Sequence, residues 1–192
     1  MAMRHPFLIG ELVYLRGFER EDMTDRYFQW FNDGEVTRYM VNGAIPNRQT
    51  DIEAFYEKMS RSANDVVFAI LDRATETHIG NTAIHNIDWI RRLGEFGIIV
   101  GEKEYWGKGY GTEATRLIVG FAFDRLNLNR VWLGVHADHH AAVRSYEKVG
   151  FKVEGRLRQE MCRNGVSGDR LIMGILREEY YASHPPGSGG AQ

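Results

Sequence analysis

Apolar and polar positions change rhythm several times along the chain, and each rhythm predicts an element. The run "ELVYLRGF" (Glu11 to Phe18) is rich in strand formers and predicts the first strand. Met23, Tyr27, Trp30 and Phe31 then fall on one helical face. Thr50 opens a second helix, with Glu53 completing a capping box and Ile52, Phe55, Tyr56 and Met59 recurring at helical spacing. Between these helices, "YMVNGAIPNRQ" reads as a loop that either borders a substrate site or is a plain surface connection. The runs "DVVFAIL", "HIGNTAIHNIDWI" and "EFGIIVG", joined by the short turns "DRATET" and "RRLG", predict an antiparallel meander.

The second half alternates differently. Ala114, Leu117, Ile118 and Phe121 form one stripe of a helix, "RVWLGVH" is a strand, and "HAAVRSYEKVG" is a short helix stopped by Gly150. "FKVEGRLRQEMCR" and "DRLIMGIL" flank Asn164-Gly165, a tight-turn pair, and predict a closing hairpin. Meander followed by strand, helix and strand implies an α/β (α+β) fold: a mixed, mostly antiparallel sheet flanked by helices. We expect one domain over residues 1–182 and an unstructured Pro/Gly/Ser-rich tail from Ser183 to the last residue.

With 192 residues, 43% of them hydrophobic, the chain is long enough for one sizeable core. A formal charge of -2 gives no basic footprint for nucleic acid or an anionic membrane. The lone Cys162 rules out an internal disulfide, and "MAMRHPFLIGEL" holds no long apolar run, so the expected location is cytoplasmic.

Candidate chemistry centres on "EKEYWGKGYGTEATRLIVGF" (Glu102 to Phe121), where Gly107, Gly109 and Gly111 precede a helix. Glycines before a helix N-terminus expose amides to an anion, with Lys108 and Arg116 nearby and Thr112 as a prospective N-cap. A Walker loop fails because Lys108 is followed by Gly109, and the dinucleotide fingerprint fails at Thr112. A ligand-free turn is the alternative. "HADHH" (His136 to His140) lacks the ligand set of a zinc site, so no metal is expected. Cys162 has no paired His and makes a poor nucleophile.

The block from Val100 to Phe151 resembles the GNAT superfamily of N-acetyltransferases. "WGKGYG" is similar to its acetyl-CoA loop, and "WLGVHADHHAAVRSYEKVGF" to the strand and helix that follow. "YLRGFEREDM", "GEFGIIV" and "VEGRLRQEMCRNG" resemble the branch of ribosomal-protein, spermidine and amino-sugar acetyltransferases. The resemblance implies a sheet splayed near Ile99 and coenzyme A diphosphate on the amides of Gly107, Lys108, Gly109, Tyr110, Gly111 and Thr112. It implies pantetheine along Ile98, Ile99 and Val100. Trp106 replaces the usual Gln or Arg of the loop, and His139 stands where relatives often carry a cofactor-contacting Asn. Tyr110 either packs on the cofactor or belongs to the core.

Acetyl transfer to an amine needs a neutral nitrogen and a proton for the departing thiolate. Tyr146 matches the family's tyrosine beside the cofactor sulfur and is the candidate acid. Glu95, at the start of the strand leading to the loop, is the candidate base, acting through a water. Arg144 and Lys148 are expected on the surface. The implied activity is acetyl-CoA-dependent acetylation of a primary amine: a polyamine, an amino sugar or a protein N-terminus. The alternative is a non-catalytic acyl-CoA sensor. Glu19, Glu21, Asp22, Asp33 and Glu35 cluster early and slightly favour a cationic acceptor. Expected partners are acetyl-CoA and the amine, with a homodimer left open.

Overall fold

A computed structural model of the chain describes residues 4–41 and 43–185. Its sheet has eight strands: β1 (Leu8–Ile9), β2 (Val13–Gly17), β3 (Val66–Asp72), β4 (His78–Asp88), β5 (Leu93–Val100), β6 (Arg130–His136), β7 (Lys152–Arg163) and β8 (Val166–Leu176). They lie in the order β1-β2-β3-β4-β5-β6-β8-β7. Every neighbouring pair is antiparallel except β5 and β6. The meander β3-β4-β5 is as expected from the alternating runs, and so is the closing hairpin. Asn164 (φ 52°) and Gly165 (φ 77°) both take the left-handed region, as a two-residue hairpin turn of the primed type demands.

Among the described residues five α-helices cover the sheet: α1 (Asp25–Asn32), α2 (Gln49–Ser60), α3 (Tyr110–Asp124), α4 (His140–Val149) and α5 (Arg177–Ser183). Ala114, Ile118 and Phe121 of α3 and Val149 of α4 are buried against Phe96, Val131, Leu133 and Met173 of the sheet. On the opposite face Tyr27 and Trp30 of α1 and Ile52 of α2 form a second cluster with Ile99. Residues alternate along β5, so Phe96 and Ile98 point to one layer and Ile99 to the other.

Several expectations need correcting. A two-residue strand, β1, precedes the expected first strand and pairs with it. Helix α2 begins at Gln49, and its box is Arg48 with Asp51, whose carboxylate accepts from the Arg48 amide at 2.8 Å. Thr50 and Glu53 lie inside that helix, so the capping pattern was read two residues late. Thr112 is the third residue of α3 and no cap; the N-cap is Gly109. Met23 precedes α1, although it packs with the α1 cluster. Ser183, placed in the tail, closes α5 and donates its hydroxyl to the Tyr180 carbonyl at 3.1 Å. Residues 186–192 of that tail lie outside the described residues.

One buried carboxylate fixes how α3 meets the sheet. Glu113, 7% exposed, accepts hydrogen bonds from the amides of Glu11, Leu12 and Val13 at 2.8, 2.8 and 2.9 Å. The β1–β2 turn is thereby tied to the first turn of the helix that follows the glycines.

Candidate active site

The only parallel pairing among the described residues is short. β5 meets β6 through Leu93, Gly94 and Glu95 against Arg130, Val131 and Trp132, and the two strands diverge beyond that point. The Gly101 amide donates to the Ile79 carbonyl at 2.9 Å, which sets the alternation of β5 against β4. Residues 95, 97 and 99 therefore turn their backbone groups to β4, and Ile98 and Val100 turn theirs into the opening. Of the three positions expected to line a pantetheine arm, Ile98 and Val100 face the gap. Ile99 does not.

The glycine loop follows. A short 3-10 turn over Lys103–Tyr105 leads to Trp106, whose indole Nε1–H donates to the Val100 carbonyl at 2.7 Å. Gly107 (φ 71°) and Gly109 (φ 95°) both require the left-handed region. A Cβ at Gly107 would meet nothing within 4 Å, and at Gly111 it would meet only Val100 Cγ2 at 3.6 Å. Packing within the protein does not exclude side chains here; backbone angles do so at Gly107 and Gly109, and the space beside Gly107 is open. The Glu113 amide donates to the Gly109 carbonyl at 2.9 Å and closes the first turn of α3. The amides of Tyr110, Gly111 and Thr112 precede that bond and have no intrahelical acceptor. The donor set fits a diphosphate: free amides at a helix N-terminus, with the exposed Lys108 beside them. Tyr110 turns the other way, edge-on to Tyr105 at 4.9 Å and against the main core.

Tyr146 lies on α4, behind the gap. Its ring meets Phe96 edge-on at 5.7 Å and Phe151 at 6.1 Å, and it is half-buried. Its hydroxyl has no hydrogen-bond partner among the described residues. Desolvation pushes the phenol up to about 12. Arg144 and Lys148 of the same helix are exposed.

Glu95 is on the other face of β5, the face of Ile99. It accepts from Asn86 Nδ2 at 3.0 Å, and Arg170 of β8 stands 3.7 Å from its other oxygen. Arg170 also reaches Glu160 at 3.2 Å. His85, directly opposite Glu95 in register, contacts Asp65 at 2.8 Å through Nδ1. The face beside the gap thus carries Asp65, Glu95 and Glu160 with one guanidinium among them. Sequence reasoning missed Asn86, Asp65 and Arg170, because only strand register brings them to Glu95.

His139 is the N-cap residue of α4 through its backbone, while its side chain caps nothing. The ring stacks on Tyr39 at 4.4 Å, and Tyr39 also meets His136 at 5.3 Å. Burial, followed by His136 and His140, holds the His139 imidazole below its ordinary value, so it is neutral at pH 7. Tyr39 belongs to the aromatic loop read as a substrate border, and this stacking puts that loop over the β6–α4 junction. Among the described residues no group of three or more His, Cys, Asp or Glu could hold a metal ion.

The early acidic residues are largely engaged elsewhere. Asp22 binds Arg16 with both oxygens at 2.7 Å, Glu19 pairs with Arg4, and Asp33 and Glu35 hold Lys103 at 2.8 and 2.7 Å.

The chain is similar to known proteins over most of its length. A family model described as "Acetyltransferase (GNAT) domain" covers residues 13–152. The spermidine N(1)-acetyltransferase of Escherichia coli (strain K12) is 32% identical over 173 residues, covering 90% of both chains. That of Vibrio cholerae serotype O1 is 32% identical over 167 residues, covering 86% of this chain and 94% of its own. A crystal structure of spermidine N-acetyltransferase from Vibrio cholerae in complex with CoA and spermine superposes with a TM-score of 0.80 at 29% identity. It covers 88% of this chain and 98% of that one. No helix among the described residues is long and apolar enough to cross a membrane. The catalytic reading therefore prevails over the sensor: the chain belongs to the GNAT acetyltransferase family and is an acetyl-CoA-dependent N-acetyltransferase of amines.

Proposed function

We propose that the acceptor is a polyamine and that it meets the acetyl group at the point where β5 and β6 part. The observation that carries this reading is the set of carboxylates beside the gap, Asp65, Glu95 and Glu160, on the face opposite Tyr146. A flexible polycation matches several anions drawn from neighbouring elements, whereas an amino sugar offers a single charge. The spermidine acetyltransferases among the relatives support the same choice.

In this reading the loop amides from Gly107 to Thr112 and Lys108 hold the diphosphate. Ile98 and Val100 pair with the pantetheine arm, and His139 lines the approach. The bound thioester supplies the acetyl group. A water held by Glu95 takes a proton from the incoming ammonium, leaving the lone pair needed for attack. Attack forms the C–N bond and breaks the C–S bond, and the second N–H proton released as the amide forms balances the proton that the sulfur takes up at the Tyr146 hydroxyl. A phenol near 12 is a weaker acid than an ordinary thiol of about 8.5, so complete transfer in water would be uphill. Hydrogen-bond donation to the developing thiolate is the principal contribution of Tyr146. The same desolvation that raises the phenol raises the thiol and narrows that gap.

Coenzyme A release measured with spermidine, spermine, glucosamine and a short peptide tests the acceptor. The polyamines should exceed the others in kcat/KM by at least about tenfold, the usual worth of one charge-assisted contact. Preference for the peptide or the sugar would remove the polyamine while leaving the enzyme class intact. A homodimer through the edge strand β7, which exposes Val153 and Leu157, belongs to the same reading. Light scattering at the monomer mass would remove that part.

A further inference from the structure

Three buried side-chain polar atoms have no hydrogen-bond partner among the described residues: Tyr14 Oη, Arg16 Nε and Glu76 Oε1. Such atoms are rare, because leaving one unpaired costs about 1–3 kcal/mol. Two of them belong to one place. Arg16 and Glu76 line one cavity of about 300 Å³ between β2, the start of α1 and the β3–β4 turn. Tyr14, two residues along β2 from Arg16, is in electrostatic range of Glu76, Arg16 and Arg4.

The cavity is built of charge in both senses. Arg4, Arg16 and Arg26 line it together with Glu21, Asp22 and Glu76. Arg16 is only 4% exposed; Nη1 donates to Asp22 and to the Gly17 carbonyl and Nη2 to Asp22, which leaves Nε as its one nitrogen without a partner among the described residues. Glu76 belongs to no ion pair among the described residues and is held at φ 61°, a region uncommon for a non-glycine residue. Its carboxylate presents an unused acceptor. The Arg16 wall of the cavity is set apart from the acetylation site. Arg16, Ala69, Asn81 and Ile99 are successive partners across β2, β3, β4 and β5, which puts Arg16 roughly 14 Å from β5.

We propose that this cavity is a second ligand site, for a small zwitterion of amino-acid size whose carboxylate meets Arg16 Nε–H and whose ammonium meets Glu76 Oε1. A carboxylate alone would leave the Glu76 acceptor unpaired, and an amine alone would leave the Arg16 donor unpaired. A molecule bearing both satisfies both. The balance of three guanidinium groups and three carboxylates also favours a ligand without net charge.

The test is a thermal-shift and calorimetric titration of the full chain with glycine, β-alanine, γ-aminobutyrate and glutamate, set against propionate and propylamine. At least one zwitterion should raise Tm saturably, while the two single-charge probes do not. The same titration is run on Glu76→Ala, a change in the β3–β4 turn, and on Glu95→Gln, which alters only the acceptor face. Affinity should fall at least about tenfold in Glu76→Ala and persist in Glu95→Gln. No shift with any zwitterion overturns the proposal, which leaves water as the only occupant. Equal shifts from propionate or propylamine overturn it as well. Loss of the shift in Glu95→Gln with retention in Glu76→Ala would assign the binding to the acetylation site and also overturn it.

Discussion

The hydroxyls of Thr112 and Ser145 lie 2.7 Å apart and join the first turn of α3 to the residue preceding Tyr146 on α4. The helix that presents the loop amides and the helix that presents the phenol are therefore pinned to each other. Thr112→Val keeps the shape and removes the bond. It is expected to cost about 1 kcal/mol in urea unfolding and to raise the KM for acetyl-CoA more than it lowers kcat. An unchanged KM would mean that the pin serves the fold alone.

The loop glycines are expected to differ from one another. Gly109 sits at φ 95°, so Gly109→Val forces a β-branched residue into a region it avoids, beside Leu12 Cδ1 at 3.5 Å from the new Cβ. Acetyl-CoA affinity should fall at least about tenfold, since a displaced amide loses a charge-assisted bond. Gly111 has no such angle, and its Cβ would make an ordinary contact with Val100, so Gly111→Ala should bind nearly as the parent does. Calorimetry on the two variants checks the contrast. Equal losses would show that space rather than backbone angle governs the loop.

Much of this was legible beforehand because it rests on local signals. The meander, the Asn164-Gly165 hairpin and the loop before α3 each follow from period or turn chemistry over a few residues. The α2 cap was misread because Asp51 and Glu53 are both plausible box partners, and only the bond from the Arg48 amide decides between them. Arg170 beside Glu95 was invisible, since it requires β8 to insert next to β6 in one particular register. The early acidic residues misled for the same reason: their partners, Arg16 and Lys103, come from other elements.

Stability should decline on the acid side of neutrality. Burial depresses the imidazoles of His78 and His139 below the ordinary 6.5. Below that pH the unfolded chain takes up protons that the folded chain refuses, so unfolding is favoured as pH falls. Above about pH 7 the same groups contribute no slope. Asp22 acts in a lower window. Burial opposes its ionisation, but Arg16 and the Glu19 amide still hold it below the ordinary 3.8, so its contribution is lost only as pH falls past that value. Urea midpoints between pH 7.5 and 5 should drop for the parent and drop less for His78→Asn. Parallel profiles would deny His78 this role.

Trp106 offers a separate check on the gap. Trp106→Phe keeps an aromatic ring and removes the N–H that holds the Val100 carbonyl. Acetyl-CoA KM should rise several-fold with kcat nearly constant, because the loss falls on binding shared by ground and transition states. The fluorescence change that coenzyme A produces should shrink in the variant. A fall in kcat at constant KM would contradict this account of the indole.

Tyr146→Phe isolates the hydroxyl, with single-turnover coenzyme A release and acetyl-CoA affinity measured on the same preparation. The ring contacts with Phe96 and Phe151 survive, and only the hydroxyl is lost. The turnover number should fall by about 10²–10⁴, the usual worth of a positioned proton donor, with little change in acetyl-CoA affinity. Because the phenol is pushed up to about 12, it stays protonated below that pH. The parent and the variant should therefore share the shape of their pH–rate profiles up to pH 10. Near-parental turnover in Tyr146→Phe would contradict the account and make Tyr146 a packing residue.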